Sequence, residues 1–408
     1  MGLNDVALGE RLHISFFGMR NAGKSSLVNA VTGQQLSVVS DVKGTTTDPV
    51  KKAMELLSLG PVVIIDTPGL DDEGELGTLR VQKSKQILSQ TDIAVLVVDS
   101  IIGLTEQDRE LVSLFKKREI PYVVAYNKSD LLPYEIILPN KRAIYTSATT
   151  GKGIDELKSA LGDFAKLRQN RRTLVAEFLK PGDVVVLVTP IDAAAPKGRL
   201  ILPQQLTLRE ILDSNSTAVV CQTDQLQQTL EALSSPPRMV ITDSQDFERV
   251  NTIVPHDILL TSFSILLARY KDELKQPIMG LAALSKLIDG DRVLISEGCT
   301  HHRQCNDIGS VQIPRLIKNF FGVEPQFSFT SGCEFPDDLS GYALIIHCGG
   351  CMLNESEVRC RMKNAKDAKI PVINYGLAIA QIHGILRRSL QLFPDIVELL
   401  ESETTLSA

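Results

Sequence analysis

Short apolar runs alternate with helical stretches along the first 165 or so residues. His13–Gly18 reads as a buried strand, followed by a glycine-rich turn and a helix over Lys24–Val31. Pro61–Asp66, Ile93–Asp99, Tyr122–Tyr126 and Ala143–Thr146 repeat the apolar-run-then-turn pattern, and a helix over Gly153–Leu167 closes the unit. Continuous rather than alternating apolar runs mark strands covered on both faces, so the alternation predicts a parallel sheet between two layers of helices. Polar Arg168–Thr173 reads as a linker.

The same rhythm then recurs twice. Strands are expected at Val184–Val188, Ala218–Cys221 and Met239–Thr242, with helices at Leu206–Asp213, Gln225–Leu233 and Asp246–Ile253, and a helical run over Ile258–Lys275. In the last part, strands are expected at Arg292–Ser296, Tyr342–Ile346 and Val372–Tyr375, with helices at Gly280–Ile288, Glu355–Ala368 and Gly376–Arg388. The polar tail after Leu400 is expected to fray. The chain is therefore predicted to be α/β with three parallel-sheet domains, 1–170, 171–272 and 273–408, the second and third smaller than the first.

Composition changes this picture little. With 408 residues, 43% hydrophobic and 23% charged, the chain is ordinary for a globular protein. A net charge of −6, no tryptophan and few aromatics give no basic field and no base-stacking platform, so nucleic acid is not expected as a partner. No apolar run approaches the roughly 20 residues of a membrane span. Met1–Glu10 is acidic rather than basic, unlike a signal peptide, and Val6 stands where a myristoylation motif needs Ser or Thr; a cytoplasmic location is expected.

Chemistry enters first at the turn after the opening strand. Gly18-Met19-Arg20-Asn21-Ala22-Gly23-Lys24-Ser25 matches a P-loop, with Ser26 following it. Its backbone amides can wrap phosphates at a helix N-terminus, Lys24 can reach the β- and γ-phosphates, and Ser25 can hold magnesium. Asp66-Thr67-Pro68-Gly69 follows a later strand. Asp66 suits the magnesium shell and the Gly69 amide the γ-phosphate. Asn127-Lys128-Ser129-Asp130 places a carboxylate, Asp130, to accept from both guanine N–H groups, which adenine does not offer. Ser147-Ala148 adds a base-contacting loop, and Gly44-Thr45-Thr46-Thr47-Asp48 a switch threonine, Thr46, for magnesium. The first domain thus reads as a P-loop GTPase fold binding GTP and Mg2+. The set, over residues 10–165, resembles the GTPases of the Era and tRNA-modification group. That resemblance implies slow hydrolysis stimulated by K+, with Asn21 helping to bind the ion. Leu70 stands where Ras-like enzymes place a water-orienting glutamine, so catalysis is expected to rest on Lys24, Thr46, Asp66 and Gly69.

Seven cysteines are present; none precedes Cys221 and six lie between Cys299 and Cys360. An even scatter of small core residues would not concentrate them so, and a cytoplasmic chain does not call for disulfides. Cys348-Gly349-Gly350-Cys351 puts two thiols on one turn, the bite used for zinc or iron–sulfur. Cys299 and the Cys348–Cys351 pair each follow an expected strand, so both loops are expected at the carboxyl edge of one sheet. Three thiols leave one position of a cluster to another ligand. His347, His301 and Glu297 adjoin the cysteines and are the choices; a non-thiolate there could be displaced by an incoming molecule.

The pattern Cys299-x-His301, then His347-Cys348-x-x-Cys351, behind a GTPase domain resembles the FeFe-hydrogenase maturation GTPases of the HydF type, over the whole length. Asp192–Gln205 resembles the start of that family's dimerisation domain. The resemblance implies GTP-binding, dimerisation and cluster-binding domains in that order. It implies a 4Fe-4S cluster on Cys299, Cys348 and Cys351, and a homodimer that scaffolds or carries the hydrogenase di-iron subcluster. Partners would be two radical-SAM maturases and the apo-hydrogenase. The chain has no CxxxCxxC motif of its own for radical chemistry. Two other readings stand beside it: a tRNA- or ribosome-acting GTPase with a structural zinc module, and a redox- or metal-sensing interaction protein in which GTP is structural.

Overall fold

The computed structural model describes residues 8–34, 50–56, 59–67, 86–133, 142–169, 173–190, 200–272, 274–299 and 307–407. They form two compact units, Met1–Arg171 with Asn354–Glu357, and Arg172–Leu353 with Val358–Ala408.

The first unit is built on a six-stranded sheet. Its strands are β1 (Leu12–Phe17), β2 (Val50–Leu56), β3 (Gly60–Asp66), β4 (Ile93–Asp99), β5 (Tyr122–Asn127) and β6 (Ala143–Tyr145). They lie in the order β2-β3-β1-β4-β5-β6, all parallel except β2, which runs antiparallel to β3. The central strand β4, IAVLVVD, explains the continuous apolar run. Ile93, Val95 and Val97 join one core while Ala94, Leu96 and Val98 join the other, on the opposite face. Edge strand β2 escapes the sequence pattern because five of its seven residues are exposed. The helix Glu106–Lys117, also not expected, is set by a capping box in which Thr105 and Asp108 each receive the other's backbone N–H.

The second unit holds two four-stranded parallel sheets. One contains β7 (Val184–Val188), β8 (Thr217–Cys221), β9 (Met239–Thr242) and β10 (Leu259–Ser262), in the order β10-β9-β7-β8. The other contains β11 (Arg292–Ser296), β12 (Gln326–Thr330), β13 (Leu344–His347) and β14 (Val372–Asn374), in the order β12-β11-β13-β14. One apolar core runs from Leu174 to Ile396 and takes side chains from both sheets. In β11 and β13 the alternation is clear: Val293, Ile295, Leu344 and Ile346 face this shared core, whereas Leu294 and Ile345 face a smaller one under the helix Glu355–Asp367.

Two expectations are corrected here. The run Ile258–Lys275 is not one helix. Leu259–Ser262 is strand β10, and buried Ser262 then accepts from Ile265 N–H to start the helix Phe263–Lys271. A continuous apolar run carries no period to separate the two, and the serine cap decides where strand gives way to helix. The tail does not fray after Leu400 but continues a helix, Pro394–Ser407, anchored by buried Ile396. Strand β12 and the helix Ile313–Phe321 were likewise not expected.

Candidate functional site

In the first unit the phosphate-loop residues lie between the end of β1 and the helix Lys24–Thr32. Gly18 (φ 143°) and Gly23 (φ 87°) hold conformations that favour glycine. A Cβ on Gly18 would stand 2.2 Å from the Val97 carbonyl oxygen, and one on Gly23 would stand 2.3 Å from Asn127 Nδ2. Lys24, buried, donates to the carbonyls of Gly18 (2.9 Å) and Met19 (2.8 Å), so its ammonium sits at the mouth of the loop. Ser25 Oγ donates to Asp66 Oδ2 at 2.6 Å, bringing together two hard oxygen ligands of the kind magnesium takes. Asn21 is exposed at the loop tip with φ 60°.

Asn127 ends β5 and couples two loops. Its Nδ2 donates to Ala22 O at 3.0 Å, and its Oδ1 accepts from Ala148 N at 3.1 Å. Lys128 is left-handed (φ 62°) and forms a 2.7 Å ion pair with Asp99 at the end of β4. Burial pushes the Asp99 carboxyl up, but the hydrogen bond and charge of Lys128 and the N–H groups of Ile101 and Ile102 outweigh it and hold it below the usual value. Asp130 is exposed. Ser147 is fully buried and caps its own loop by accepting from Thr150 N–H at 3.1 Å. A cleft of about 410 Å³ is lined by Ser26, Asn29, Ala30, Gly33, Gln34, Ala148 and Thr149. Thr46, Gly69, His301 and the stretch 192–199 lie outside the described residues.

In the second unit the thiol loops leave adjacent strands. Ser296 of β11 pairs with His347 of β13, so Cys299 and Cys348 follow neighbouring carboxyl ends. The ladder continues one step further, with Cys348 N–H donating to Ser296 O at 3.0 Å. Cys348 Sγ accepts two backbone N–H groups, from Gly298 of the first loop (3.0 Å) and Gly350 of its own turn (3.3 Å). Gly350, at φ 66°, allows that turn. Gly298 leaves no room for a side chain, since a Cβ there would stand 2.7 Å from Leu353 Cγ. Burial pushes the Cys348 thiol up, against the pull of the two amides and of Arg361. Burial and the neighbouring Cys348 push Cys351 up to about 12.

The three choices for a fourth ligand differ. His347 is 3% exposed; its Nδ1 lies 2.6 Å from Cys348 O and its Nε2 3.3 Å from Arg361 Nη1. Both ring nitrogens therefore have protein partners, and burial followed by the Arg361 charge pushes its pKa down to about 3. Glu297 is buried too, with Tyr375 donating its hydroxyl to Oε1 at 3.4 Å. Burial, then the surrounding Cys348 and Glu297, pushes the Tyr375 hydroxyl well above its ordinary range, so it is a donor at neutral pH. Among the described residues no three His, Cys, Asp or Glu side chains gather closely enough to hold a single metal ion. The group that the cysteine spacing raises instead is an iron–sulfur cluster, for which Cys299 and the Cys348–Cys351 pair follow neighbouring strands. The donor set fits the group: amide N–H donation to sulfur is how proteins stabilise cluster thiolates, and a coordinated metal deprotonates even a thiol raised by burial. Tyr375 and Arg361 were not foreseen from the sequence, where a lone Tyr or Arg on a helix carries no signal.

Comparison with known proteins covers both units. Residues 13–128 match the 50S ribosome-binding GTPase family model, 174–272 the hydrogen maturase F dimerization domain, and 275–392 the hydrogen maturase F tetramerization domain. GTPase Der of Kosmotoga olearia is 32% identical over 37% of this chain and 38% of its own length. The tRNA modification GTPase MnmE of Nitrosomonas europaea is 34% identical over 38% of this chain and 35% of its own. The chain thus spans little more than a third of these relatives. Among the described residues no helix is long and apolar enough to cross a membrane. A GTPase domain followed directly by both domains of one maturase defines the whole: the chain belongs to the hydrogen maturase F family.

Proposed function

We propose that the protein is a cytoplasmic, magnesium-dependent GTPase that scaffolds or carries the di-iron subcluster of FeFe-hydrogenase before its transfer to the apo-enzyme. The single observation that carries this reading is Cys348 Sγ held by amides of both thiol loops, Gly298 and Gly350. In it, residues 1–170 bind GTP, 171–272 dimerise and 273–408 hold a 4Fe-4S cluster. The working unit is a homodimer that meets two radical-SAM maturases and the apo-hydrogenase; neither nucleic acid nor a membrane takes part.

On the nucleotide side, Gly18, Asn21, Ala22, Gly23, Lys24, Ser25 and Ser26 cradle the phosphates, with Lys24 at the β- and γ-oxygens. Ser25, Thr46 and Asp66 hold magnesium, and the Gly69 amide meets the γ-phosphate. Asn127, Lys128, Asp130, Ser147 and Ala148 surround the base. Hydrolysis is slow and potassium-stimulated, with Asn21 at the ion. The exposed position of Asn21 at the loop tip supports that role, and the contact of Ser25 with Asp66 supports theirs.

On the thiol side, Cys299, Cys348 and Cys351 hold the cluster. When bound, it supplies an iron whose fourth ligand, from Glu297, His301 or His347, an incoming group can displace. The protein's own part is to bury the thiols, donate amides to sulfur, and fix the side chains around them.

Anaerobic purification with iron, sulfide and zinc analysis and EPR of the reduced protein tests the reading. Iron and sulfide with a 4Fe-4S signal are expected. Stoichiometric zinc without a signal would sink the scaffold in favour of a structural zinc module. Cys348→Ala is expected to abolish the cluster and leave GTP hydrolysis nearly unchanged.

A further inference from the structure

The turn that carries Cys348 and Cys351 is packed from two sides. On one side stand residues that follow it in its own domain. A Cβ on Gly350 would lie 3.0 Å from Val358 Cγ2, and Val358 belongs with Leu353 to the smaller core under the helix Glu355–Asp367. On the other side stands the helix Phe263–Lys271, which follows β10 of the other sheet. Apart from chain neighbours, the three heavy atoms nearest to a Cβ on Gly349 all belong to that helix: Leu267 Cδ2 at 3.5 Å, Ser264 Oγ at 3.7 Å and Ser264 Cα at 3.8 Å. Ser264 and Leu267 are three residues apart and so share one helix face.

Ser264 also reaches the edge of the sheet that bears the thiols. Its hydroxyl donates to Asn374 Oδ1 at 3.4 Å and accepts from Asn374 Nδ2 at 3.3 Å. Asn374 ends β14, where it pairs with His347, and its Oδ1 accepts from Gly376 N–H at 2.8 Å to start the next helix. Ser296, His347 and Asn374 form one row across the carboxyl ends of β11, β13 and β14. Ser264 is therefore bonded to one end of that row while it touches the turn that leaves its middle. Leu267 is 1% exposed in the core shared by the two sheets, and Cys348 and Cys351 pack against the same core. The helix begins at a fixed place, because Ser262 Oγ accepts from Ile265 N–H at 3.2 Å. Nor is there slack between the two helix starts: a Cβ on Gly376 would stand 3.1 Å from Ile265 Cγ1.

We propose that Ser264 and Leu267 are positioning residues of the thiol site, forming the wall against which the Cys348–Cys351 turn is set. The proposal rests on the cluster-binding reading above. Both residues lie in the stretch 174–272 that matches the dimerization domain, whereas the thiols lie in 275–392. The site is thus built by two family domains together, and the second has a role besides joining copies of the chain. The physical reason is stiffness. A turn with two glycines between its cysteines has little rigidity of its own, and metal ligands keep their geometry only where surrounding groups fix them.

The test uses full-length protein reconstituted anaerobically with iron and sulfide. Wild type is compared with Leu267→Ala, Leu267→Met, Ser264→Ala and, as a control, Leu266→Ala. Leu266 is equally buried in the same core but is not among the atoms nearest Gly349. Read out are iron and sulfide per chain, the rate of iron loss to a chelator, the EPR spectrum of the reduced cluster, and thermal unfolding before reconstitution. Leu267→Ala is expected to bind cluster, to show an altered spectrum and to lose iron about ten-fold faster, the scale for removing a support of a metal ligand. Leu267→Met, which keeps the volume, is expected to return both toward wild type. Leu266→Ala is expected to lower the unfolding temperature as Leu267→Ala does, with the wild-type rate and spectrum. A wild-type rate and spectrum in Leu267→Ala would overturn the proposal, as would equal changes in Leu266→Ala, which assign the effect to packing alone. Should Leu267→Ala not fold, Ser264→Ala decides: faster iron loss supports the positioning role, and a wild-type rate overturns it. A wild type that takes up no iron and sulfide instead sinks the cluster-binding reading itself, so the two failures are distinct.

Discussion

The nucleotide loops and the thiol loops both leave the carboxyl ends of parallel strands, but they are held in different ways. The nucleotide loops are shaped mainly by their own backbone. Gly18 and Gly23 take positive φ with no space for a side chain, Lys24 folds onto the carbonyls of its own loop, and Asn127 couples that loop to Ala148. The thiol loops are shaped from outside, by buried side chains on other elements: Arg361 from the helix Glu355–Asp367 and Tyr375 from the start of the helix Tyr375–Ile382 that follows β14. The first arrangement gathers amides for a ligand that brings its own charge. The second surrounds thiols with buried side chains that carry charge and hydrogen bonds. A site of the first kind is carried by a local motif, and one of the second kind only by the assembled fold.

Three changes would break or sharpen that contrast, in falling order of effect. Lys24→Ala removes the ammonium held on the Gly18 and Met19 carbonyls. It should lower GTP turnover by about 100-fold or more, the scale for losing a preorganised charge at a developing anion. Iron content, measured on the same sample, should stay at the wild-type value, and a parallel loss of iron would show that the two sites do not stand apart. Tyr375→Phe removes only the hydroxyl that donates to Glu297 Oε1. Leaving a buried carboxylate short of one donor should cost roughly 1–3 kcal/mol, visible as a lower midpoint in urea unfolding, with GTP hydrolysis unaltered. An unchanged midpoint would mean that Glu297 does not depend on this contact. The smallest effect is that of pH on the Lys128–Asp99 pair. The folded protein holds the Asp99 carboxyl below its ordinary value, so the contribution is fully present above the unfolded value of about 3.9 and is lost as pH falls through the lower folded value. Solvent screening limits it to about a few tenths of a kcal/mol for this partly exposed pair. Asp99→Asn should therefore lower stability slightly at pH 7 and progressively less as pH falls below the unfolded value; a loss that does not change with pH would assign the effect to packing.

Much of the sheet framework was legible beforehand. Ile93–Asp99, Val184–Val188, Met239–Thr242 and Arg292–Ser296 are strands with the bounds that their apolar runs indicated. Buried parallel strands are apolar on both faces, so each stands out against polar turns. The elements that were missed are those with a weak or mixed signal: β2, mostly exposed on an edge, β12, whose two phenylalanines alternate with polar Gln326, Ser328 and Thr330, and β10, whose apolar residues run on into a helix. That the second and third expected domains share one core through their two sheets was not visible.

The candidate sites divide along the same line. Asn127 was visible as part of Asn127-Lys128-Ser129-Asp130, but its double hold on Ala22 and Ala148 spans more than a hundred residues and required the fold. His347 stood among three choices for one ligand position, and only its burial between Cys348 O and Arg361 revealed how both of its nitrogens are engaged.

By itself, then, the sequence determined most of the buried strands, the phosphate loop, and the pairing of two thiols on one turn. Each of these depends on residues a few positions apart, where spacing translates directly into geometry. Tertiary structure alone decided that Ser296 and His347 stand side by side, that Gly298 and Gly350 share one sulfur, and that Arg361 reaches both Ser296 and His347. Those contacts join residues brought together by parallel strands and a returning helix. Their value lies in burial and charge, which no local pattern of residues encodes.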